Sequence, residues 1–532
     1  MLELGIIYRD GLVLQQGKKM RINGTFIPNI AKQVTIKAAL KSGTKTVSEG
    51  SVSVELVNGE ESAPFTVSLS EMSKGGPFTL EIYELNHPST LITIDDVYVG
   101  EVWLAGGHEN RTLPLCHTLN AKEEVSDFKD RKIRYYKVPV ADENTPAEDR
   151  TSEWTRIGKK NVGSMSAIAY YFIKSLRSKL TANTMIGIVE CAADDTSVMS
   201  WMSENNIRNT VDGKLAYKEY MSELYDKDSK EYTDIVRQIG EEVRQNWDKL
   251  NEMIKENPYI TYSDMLEGIG HGKLELPKLK DDVGRPGILF NNMLMSIKSF
   301  CFRGVIFYQG ESDYEERCER YYTLFKSMIN EWREVFEDEK LPFIYAQLPM
   351  YISKTRRFMN FDDMHLPILR SAQTRVANEM PYTYMVTLTD CGEFDNMRPS
   401  DKMTPGTRMG LSALKHVYGN FDLSADAPHV VDIKRGSEGV EISFGGDFKE
   451  LTCVYSDASE SGFELAGNTD EFFPATASID FDGKTVILDC PKVEFPTKVR
   501  YAYFSYGNAP LVTDKGLAVG PINELIEKKP EF

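Results

Sequence analysis

Carboxylate side chains follow four apolar runs of this chain, each at the point where the run ends. They are Glu109, Asp194, Asp195, Glu311, Asp390 and Glu393. Two carboxyl groups held close together can divide acid and base roles, because crowding of like charges raises the pKa of one of them. Such a pair is what glycoside hydrolysis needs: one group protonates the leaving oxygen, and the other acts as nucleophile or base.

The apolar runs that precede these side chains have the pattern of buried strands. Five such runs lie at 97–105, 185–191, 304–309, 343–347 and 384–389. Amphipathic helical patterns separate them, and this alternation predicts an α/β core with a parallel sheet covered on both faces. Ligands of open α/β sheets bind outside the carboxyl ends of the strands. We therefore expect the polar clusters to converge on one site.

The pattern divides the 532-residue chain into three parts. Residues 1–95 and 421–532 consist of short alternating segments punctuated by turn residues, which predicts a β-module at each end. Residues 96–420 form the predicted α/β core. Within the core, 204–285 is predicted to be a helical insertion, where apolar residues recur at three- and four-residue spacing and indicate a packed helix. They are Ile235, Ile239, Val243, Trp247, Leu250 and Ile254.

The segment at 102–111 reads VWLAGGHENR and resembles the nucleophile segment of the sialate O-acetylesterase family, V-W-L-x-x-G-Q-S-N-M. The segment at 303–313, RGVIFYQGESD, is similar to the family's R-G-V-I-W-Y-Q-G-E-S-N. Further matches, in the family's order, lie at 7–16, 161–176, 332–333, 342–343, 347–349, 462–467, 473–475 and 499–503. The resemblance implies a flavodoxin-like, SGNH-type hydrolase core with a parallel sheet, flanked by N-terminal and C-terminal β-modules.

Several functional positions of the family are changed in this chain. Glu109 stands where the family has its nucleophilic serine, and Arg398 stands where it has the general-base histidine. The family's Gly-Gly-Thr loop corresponds to Asp194, Asp195 and Thr196. An arginine stays protonated and cannot accept a proton from a nucleophile. Carboxylates beside a developing oxyanion would also raise its energy. These changes disfavour conventional serine-esterase chemistry.

We predict a carbohydrate-active protein whose altered site works as a redirected glycan hydrolase. The catalytic candidates are Glu109, Asp194, Asp195 and Asp390. The candidates for substrate binding are His108, Asn110, Arg111, Trp201, Gln309, Glu311, Glu393 and Arg398. A glycan-binding protein without turnover is the main alternative, and residual carbohydrate O-acetylesterase activity is a further one.

Non-catalytic interpretations of the same residues also stay open. His108 can be a hydrogen-bonded structural residue in the family's glutamine position, and Glu311 can support loops. The acidic cluster could bind Ca²⁺ or Mg²⁺, which prefer oxygen ligands. No spaced metal motif supports that, so we expect neither a metal nor a cofactor.

Composition excludes other classes of partner. The net charge of −18 argues against nucleic acid, whose binding needs clustered Lys and Arg. No apolar run approaches the roughly 18 residues of a membrane span. The seven cysteines are scattered without C-x-x-C spacing, which is typical of reduced thiols. We therefore expect a cytoplasmic protein with a carbohydrate substrate or ligand, and neither a nucleic-acid nor a membrane partner.

Overall fold

The computed structural model describes residues 1–28, 33–56, 60–141, 144–270, 277–280, 282–313, 317–359, 361–453 and 460–526. At Pro88, Glu109, Ala147 and Glu148 it describes the backbone alone. The chain is a mixed α/β protein with one large mixed sheet and additional β-sheets. The predicted α/β class is confirmed. None of the described helices is both long enough and apolar enough to cross a lipid bilayer.

Eight strands open the chain. They are β1 (Leu2–Leu4), β2 (Val13–Gln15), β3 (Met20–Phe26), β4 (Gln33–Ser42), β5 (Lys45–Glu55), β6 (Ala63–Leu69), β7 (Gly75–Glu84) and β8 (His87–Gly107). β3 pairs antiparallel with β1 and β6, and β4 pairs antiparallel with β5 and β7. Residues of β6 alternate between buried and exposed along its length, as expected for a strand with one face on a core.

The strand β8 is 21 residues long and belongs to two parts of the fold. Its first part pairs antiparallel with β7, and its last part pairs with core strands. The strand therefore runs without interruption across residue 95, where the sequence pattern changes. The division of the chain at 95 and 420 stays a prediction.

Six further strands complete the large sheet. They are β9 (Ile133–Lys137), β10 (Thr155–Arg156), β11 (Ile186–Ala192), β12 (Gly304–Tyr308), β13 (Phe343–Ala346) and β14 (Thr383–Val386). Their order is β10-β9-β11-β8-β12-β13-β14, and every neighbouring pair is parallel except β10 with β9. The five predicted core strands are confirmed as β8 and β11 to β14. The sequence analysis missed β9, because basic residues interrupt its apolar pattern.

Within the described residues, twelve α-helices accompany the strands. They are α1 (Glu109–Thr112), α2 (Ala121–Asp127), α3 (Ala167–Leu176), α4 (Glu204–Arg208), α5 (Val211–Ser222), α6 (Lys230–Glu256), α7 (Tyr262–Ile269), α8 (Ile288–Asn292), α9 (Tyr321–Val335), α10 (Lys354–Phe358), α11 (His365–Glu379) and α12 (Met403–His416). The predicted helix of the insertion is confirmed as α6. Its predicted packing is wrong: no residue of α6 is fully buried, and Trp247 is 59% exposed. The helix contacts α7 and stands away from the main core.

Ten short strands lie in the described residues after α12. They are β15 (His429–Arg435), β16 (Val440–Gly445), β17 (Leu451–Cys453), β18 (Phe463–Ala466), β19 (Phe472–Pro474), β20 (Thr476–Ile479), β21 (Thr485–Asp489), β22 (Lys498–Tyr501), β23 (Leu511–Thr513) and β24 (Ile522–Leu525). Two four-stranded sheets, β15-β16-β21-β20 and β19-β18-β22-β24, enclose a separate hydrophobic core. The guanidinium of Arg370 donates to the carbonyls of Phe504 and Ser505, which fastens this part to α11.

Glu101 joins three parts of the molecule from the middle of β8. Its carboxylate is fully buried and accepts hydrogen bonds from Arg303 at 2.7 and 3.0 Å. It also accepts from the Tyr418 hydroxyl at 2.9 Å and from the Gln16 side chain. Gln16 directly follows β2, Arg303 directly precedes β12, and Tyr418 follows α12. A hydrogen-bonded charge of this kind stabilises the fold only while its partners are in place.

We expect Glu101→Gln to lower the free energy of unfolding by roughly 1–3 kcal/mol, because charge-assisted bonds at a buried position are replaced by weaker ones. Urea denaturation followed by circular dichroism measures the change. The matched control is Glu55→Gln on an exposed position of β5, which should change stability by less than about 0.5 kcal/mol. Equal effects of the two substitutions would contradict the role of Glu101.

Candidate functional site

The candidate site lies at the carboxyl ends of β8 and β12, the two central strands of the sheet. The strand that follows β8 in the chain, β9, lies on the β11 side of this pair, and the strand that follows β12, β13, lies on the other side. Connections that leave a parallel sheet in opposite directions open a crevice between the two strand ends. Helix α1 begins at one side of the crevice, and residues 309–313 begin at the other.

His108 and Asn110 connect the two sides of this crevice. The backbone N–H of His108 donates to the Tyr308 carbonyl at 2.8 Å, which continues the β8–β12 pairing. Its Nε2 lies 2.8 Å from the Ser312 Oγ. Asn110 donates through Nδ2 to Glu311 Oε1 at 2.7 Å and to the carbonyl of Met397 at 2.9 Å. The site is therefore held by hydrogen bonds from three different segments.

Glu311 is a buried carboxyl group in the middle of the site. Desolvation raises its pKa to about 7, although hydrogen bonds from Asn110 act in the opposite direction. Its Oε2 lies 3.8 Å from His108 Nδ1. A carboxyl group with a pKa near neutrality can exchange a proton at working pH, which an ordinary surface glutamate cannot do efficiently.

Asp194 and Asp195 follow β11 on the neighbouring side of the crevice, and both are exposed. The Thr112 hydroxyl donates to Asp194 Oδ1 at 2.6 Å, which attaches Asp194 to α1. Protein atoms crowd the Asp194 carboxyl despite its exposure. The resulting desolvation raises its pKa, the hydrogen bond from Thr112 acts in the opposite direction, and the charge of Asp195 raises the pKa further. Asp195 has a left-handed backbone with φ of 56°.

Glu109 begins α1, directly at the mouth of the crevice. Its side chain lies outside the described part of the chain. Its backbone is three residues before Thr112 on the same helical turn, and residues three apart lie on the same helix face. The structure therefore places the backbone of Glu109 on the face of α1 that contacts the carboxyl group of Asp194.

Arg111, Gln309 and Trp201 lie beneath the site rather than in the crevice. Arg111 is fully buried, donates to Ser166 Oγ and lies 3.7 Å from Glu190. Gln309 is buried between Asp313, at 2.5 Å, and the Tyr321 hydroxyl, at 2.9 Å.

Trp201 is also fully buried. Its ring packs against Trp332 with centroids 6.2 Å apart, and its Nε1 donates to Thr196 Oγ1 at 3.2 Å. An indole enclosed in this way supports the loop after β11 and has no face open to a sugar.

The segment at 390–399 closes the third side of the site. Asp390 forms a bidentate ion pair with Arg408 at 2.7 and 2.6 Å. Glu393 accepts from the Asn396 side chain at 2.7 Å and from the Ser400 backbone at 2.6 Å. It also accepts from the Ser263 hydroxyl of α7. Both carboxylates thus hold the segment in place.

Arg398 occupies the same segment. Its guanidinium lies over the ring of Tyr262, 5.2 Å from the centroid. Desolvation lowers its pKa to about 9. The group is still protonated at neutral pH, so it can attract an anion but cannot serve as a general base.

Sequence reasoning missed Thr112, Ser312, Phe394 and Lys402 as members of this site. Phe394 is 44% exposed beside Tyr506, with ring centroids 5.9 Å apart. Lys402 is buried, its ammonium donates to the Pro399 carbonyl, and desolvation lowers its pKa to about 8. Of these four residues, only Ser312 had a signal in the sequence, because it directly follows Glu311. The described residues include no cluster of three His, Cys, Asp or Glu side chains arranged to hold a metal ion.

Comparison with known proteins agrees with this fold. The family described as "Carbohydrate esterase, sialic acid-specific acetylesterase" matches residues 279–403. Mouse sialate O-acetylesterase is 25% identical over 507 residues, covering 89% of this chain and 84% of the mouse protein. The human sialate O-acetylesterase is 23% identical over 420 residues, covering 74% of this chain and 67% of its own.

Among solved structures, a carbohydrate acetylesterase from Xanthomonas citri has the same fold. The TM-score is 0.73 at 24% identity, with 98% of this chain and 99% of that chain covered. This likeness shows that the chain has the fold of a carbohydrate acetylesterase. By sequence, this chain is similar to the sialate O-acetylesterases over most of its length.

We expect the wild-type protein to lose stability relative to Glu311→Gln as the pH rises. In the unfolded chain a glutamate ionises near pH 4.3, whereas in the folded protein Glu311 ionises only near pH 7. Between these values folding keeps a proton on the group, so the free energy of unfolding of the wild type falls as the pH rises. The difference should reach about 3 kcal/mol by pH 8.

The measurement is a set of urea denaturation curves of both proteins between pH 4 and 8. A difference that does not depend on pH would contradict the raised pKa of Glu311.

Proposed function

We propose that this protein is a glycan hydrolase that uses carboxyl groups where its relatives place a serine and a histidine. The observation that carries the proposal is the 2.6 Å hydrogen bond between Thr112 and Asp194. It holds a carboxyl group with a raised pKa against the helical turn that begins with Glu109. The order β11-β8-β12-β13-β14, with the site between β8 and β12, supports a flavodoxin-like, SGNH-type core.

In this proposal Asp194 is the general acid and Glu109 is the nucleophile or base. The raised pKa favours the protonated form of Asp194 more than in an ordinary aspartate, and this proton can pass to the oxygen of the leaving sugar. Asp195 raises that pKa further through its charge, and it acts through Asp194. Asp390 is not assigned a catalytic part, because its carboxylate is paired with Arg408.

Groups around the crevice can bind a sugar. The exposed ring of Phe394 offers an apolar face of the kind on which sugar rings stack, a part that Trp201 is too deeply buried to take. The guanidinium of Arg398 can attract a carboxylate or another negative group of the substrate. Asn110 and Glu311 then keep the crevice in shape through the hydrogen bond between them.

Binding of a glycan without turnover is the second candidate. The ion pair of Asp390 and the three hydrogen bonds that Glu393 accepts favour this second candidate. In these contacts the carboxylates stabilise the segment at 390–399 and are not free to transfer protons. A binding site needs the aromatic surface and the polar edge, but it needs no group with a raised pKa.

For location we propose the cytoplasm. None of the seven cysteines, all of which lie in the described part, forms a disulfide. Protein thiols of this kind are kept reduced in the cytosol.

We expect Asp194→Asn to lower kcat/KM for an aryl glycoside by about 100- to 10,000-fold, the usual contribution of a general acid. The assay is nitrophenol release from a panel of aryl glycosides, and Glu109→Gln should cause a loss of similar size. The matched control is Asp248→Asn on an exposed position of α6. Full activity of Asp194→Asn would refute the acid role, and binding of the glycan without release of nitrophenol would favour the second candidate.

A further inference from the structure

We propose that Ser312, His108 and Glu311 form a nucleophile, base and carboxylate relay that cleaves acyl esters. The relay goes beyond the glycosidic chemistry proposed above, and it uses neither Glu109 nor Arg398. Its three members come from the crevice between β8 and β12, and the sequence analysis assigned none of them a catalytic role.

The first contact of the relay joins the nucleophile to the base. Ser312 Oγ and His108 Nε2 are 2.8 Å apart, within hydrogen-bond distance. A serine hydroxyl is a weak nucleophile until a neighbouring base accepts its proton. Ser312 is half-buried, whereas His108 is 1% exposed. The nucleophile is therefore nearer to solvent than its base, as attack on a bound ester requires.

The second contact joins the base to a carboxylate. His108 Nδ1, the ring nitrogen opposite to Nε2, lies 3.8 Å from Glu311 Oε2. Asn110 directs both its side-chain and its backbone N–H to the other oxygen, Oε1. Oε2 thus faces the imidazole and can stabilise the positive charge that forms there. The gap is longer than a hydrogen bond, and such contacts tighten when the substrate is bound.

The backbone brings these side chains together for a definite reason. Gly107 has a left-handed φ of 132°, and a Cβ at this position would collide with the carbonyl of Tyr308. Only a glycine lets β8 end this close to β12, and His108 follows directly. On the other strand, Gly310 has a φ of 135° and turns the chain so that Glu311 and Ser312 face His108.

The reaction balances with these three side chains and water. Ser312 Oγ attacks the carbonyl carbon of the ester, and its proton passes to His108 Nε2. The bond between the carbonyl carbon and the alcohol oxygen then breaks, and that oxygen takes the proton from Nε2. Water attacks the acyl-serine, with its proton passing to Nε2. Ser312 Oγ leaves and recovers that proton, which releases the carboxylic acid and restores the relay.

A structural hydrogen bond between Ser312 and His108 is the rival explanation. It would produce the same 2.8 Å distance but no activated serine. A substitution that keeps the hydrogen bond and removes the base separates the two explanations. His108→Gln meets this requirement, because an amide can donate to or accept from a hydroxyl but cannot take up its proton.

The test is labelling of the full chain with a fluorophosphonate, which reacts with activated serines, followed by peptide mass spectrometry. We expect the label on Ser312 in the wild type and none in Ser312→Ala. His108→Gln should lower the labelling rate at least about 100-fold while leaving the thermal midpoint within a few degrees. Ser126→Ala, on the exposed surface of α2, is the control and should label like the wild type.

Aryl acetate turnover gives the second readout. Ser312→Ala should lower kcat/KM for the acetate by about 100-fold or more. Absence of the label from Ser312, or equal labelling of the wild type and His108→Gln, would overturn the relay. These outcomes do not depend on glycoside turnover, because neither the fluorophosphonate nor the aryl acetate contains a sugar. Failure of the relay and failure of the carboxylate proposal can therefore be told apart.

Discussion

The close pairing of β8 with β12 is the constraint on which the rest of the site depends. Through β8 the N-terminal strands and the core share one sheet, and the buried Glu101 fastens that strand to Arg303 just before β12. At the other end, Gly107 approaches the Tyr308 carbonyl where no side chain would fit. Because both strands end at the same level, α1 and residues 309–313 start side by side. All further contacts of the site follow from this position.

Desolvation is the second factor that determines what the site can do. It raises the pKa of Glu311 and Asp194 and lowers the pKa of Arg398 and Lys402. Groups that would be fully charged in water are thereby moved towards neutrality, where proton transfer is possible. Other carboxylates of the site are held in ion pairs, as Asp390 is with Arg408. Carboxylates at neighbouring strand ends therefore have different surroundings, desolvated at one and paired with a cation at the next.

Much of the fold could be predicted from the sequence, because buried strands and amphipathic helices leave a periodic pattern. The predicted runs reappear as β8 and β11 to β14, and their carboxyl ends meet as expected for a parallel sheet. The strand β9, between β10 and β11, was missed because its basic residues break the pattern. The packing of α6 was predicted wrongly, since an apolar stripe indicates that a helix has a preferred face but not that anything covers it.

The roles of site residues could be predicted less well. Position after a strand indicates that a side chain is near the site, but not whether it points into the crevice or below it. Arg111 and Trp201 both follow strands of the site, and both are fully buried. The contact between His108 and Ser312 joins residues that are 204 positions apart, so no local pattern could reveal it.

The central claim is that this strand end still performs hydrolysis after losing the family's serine and histidine. The most direct measurement is NMR detection of the products when the wild-type chain is incubated with an O-acetylated, sialic-acid-bearing glycoprotein. A variant with both Asp194→Asn and Ser312→Ala is incubated in parallel. The account predicts release of free sugar, of acetate or of both by the wild type, and release by the variant only at the background rate. Equal product from both proteins, or none from the wild type, would contradict it.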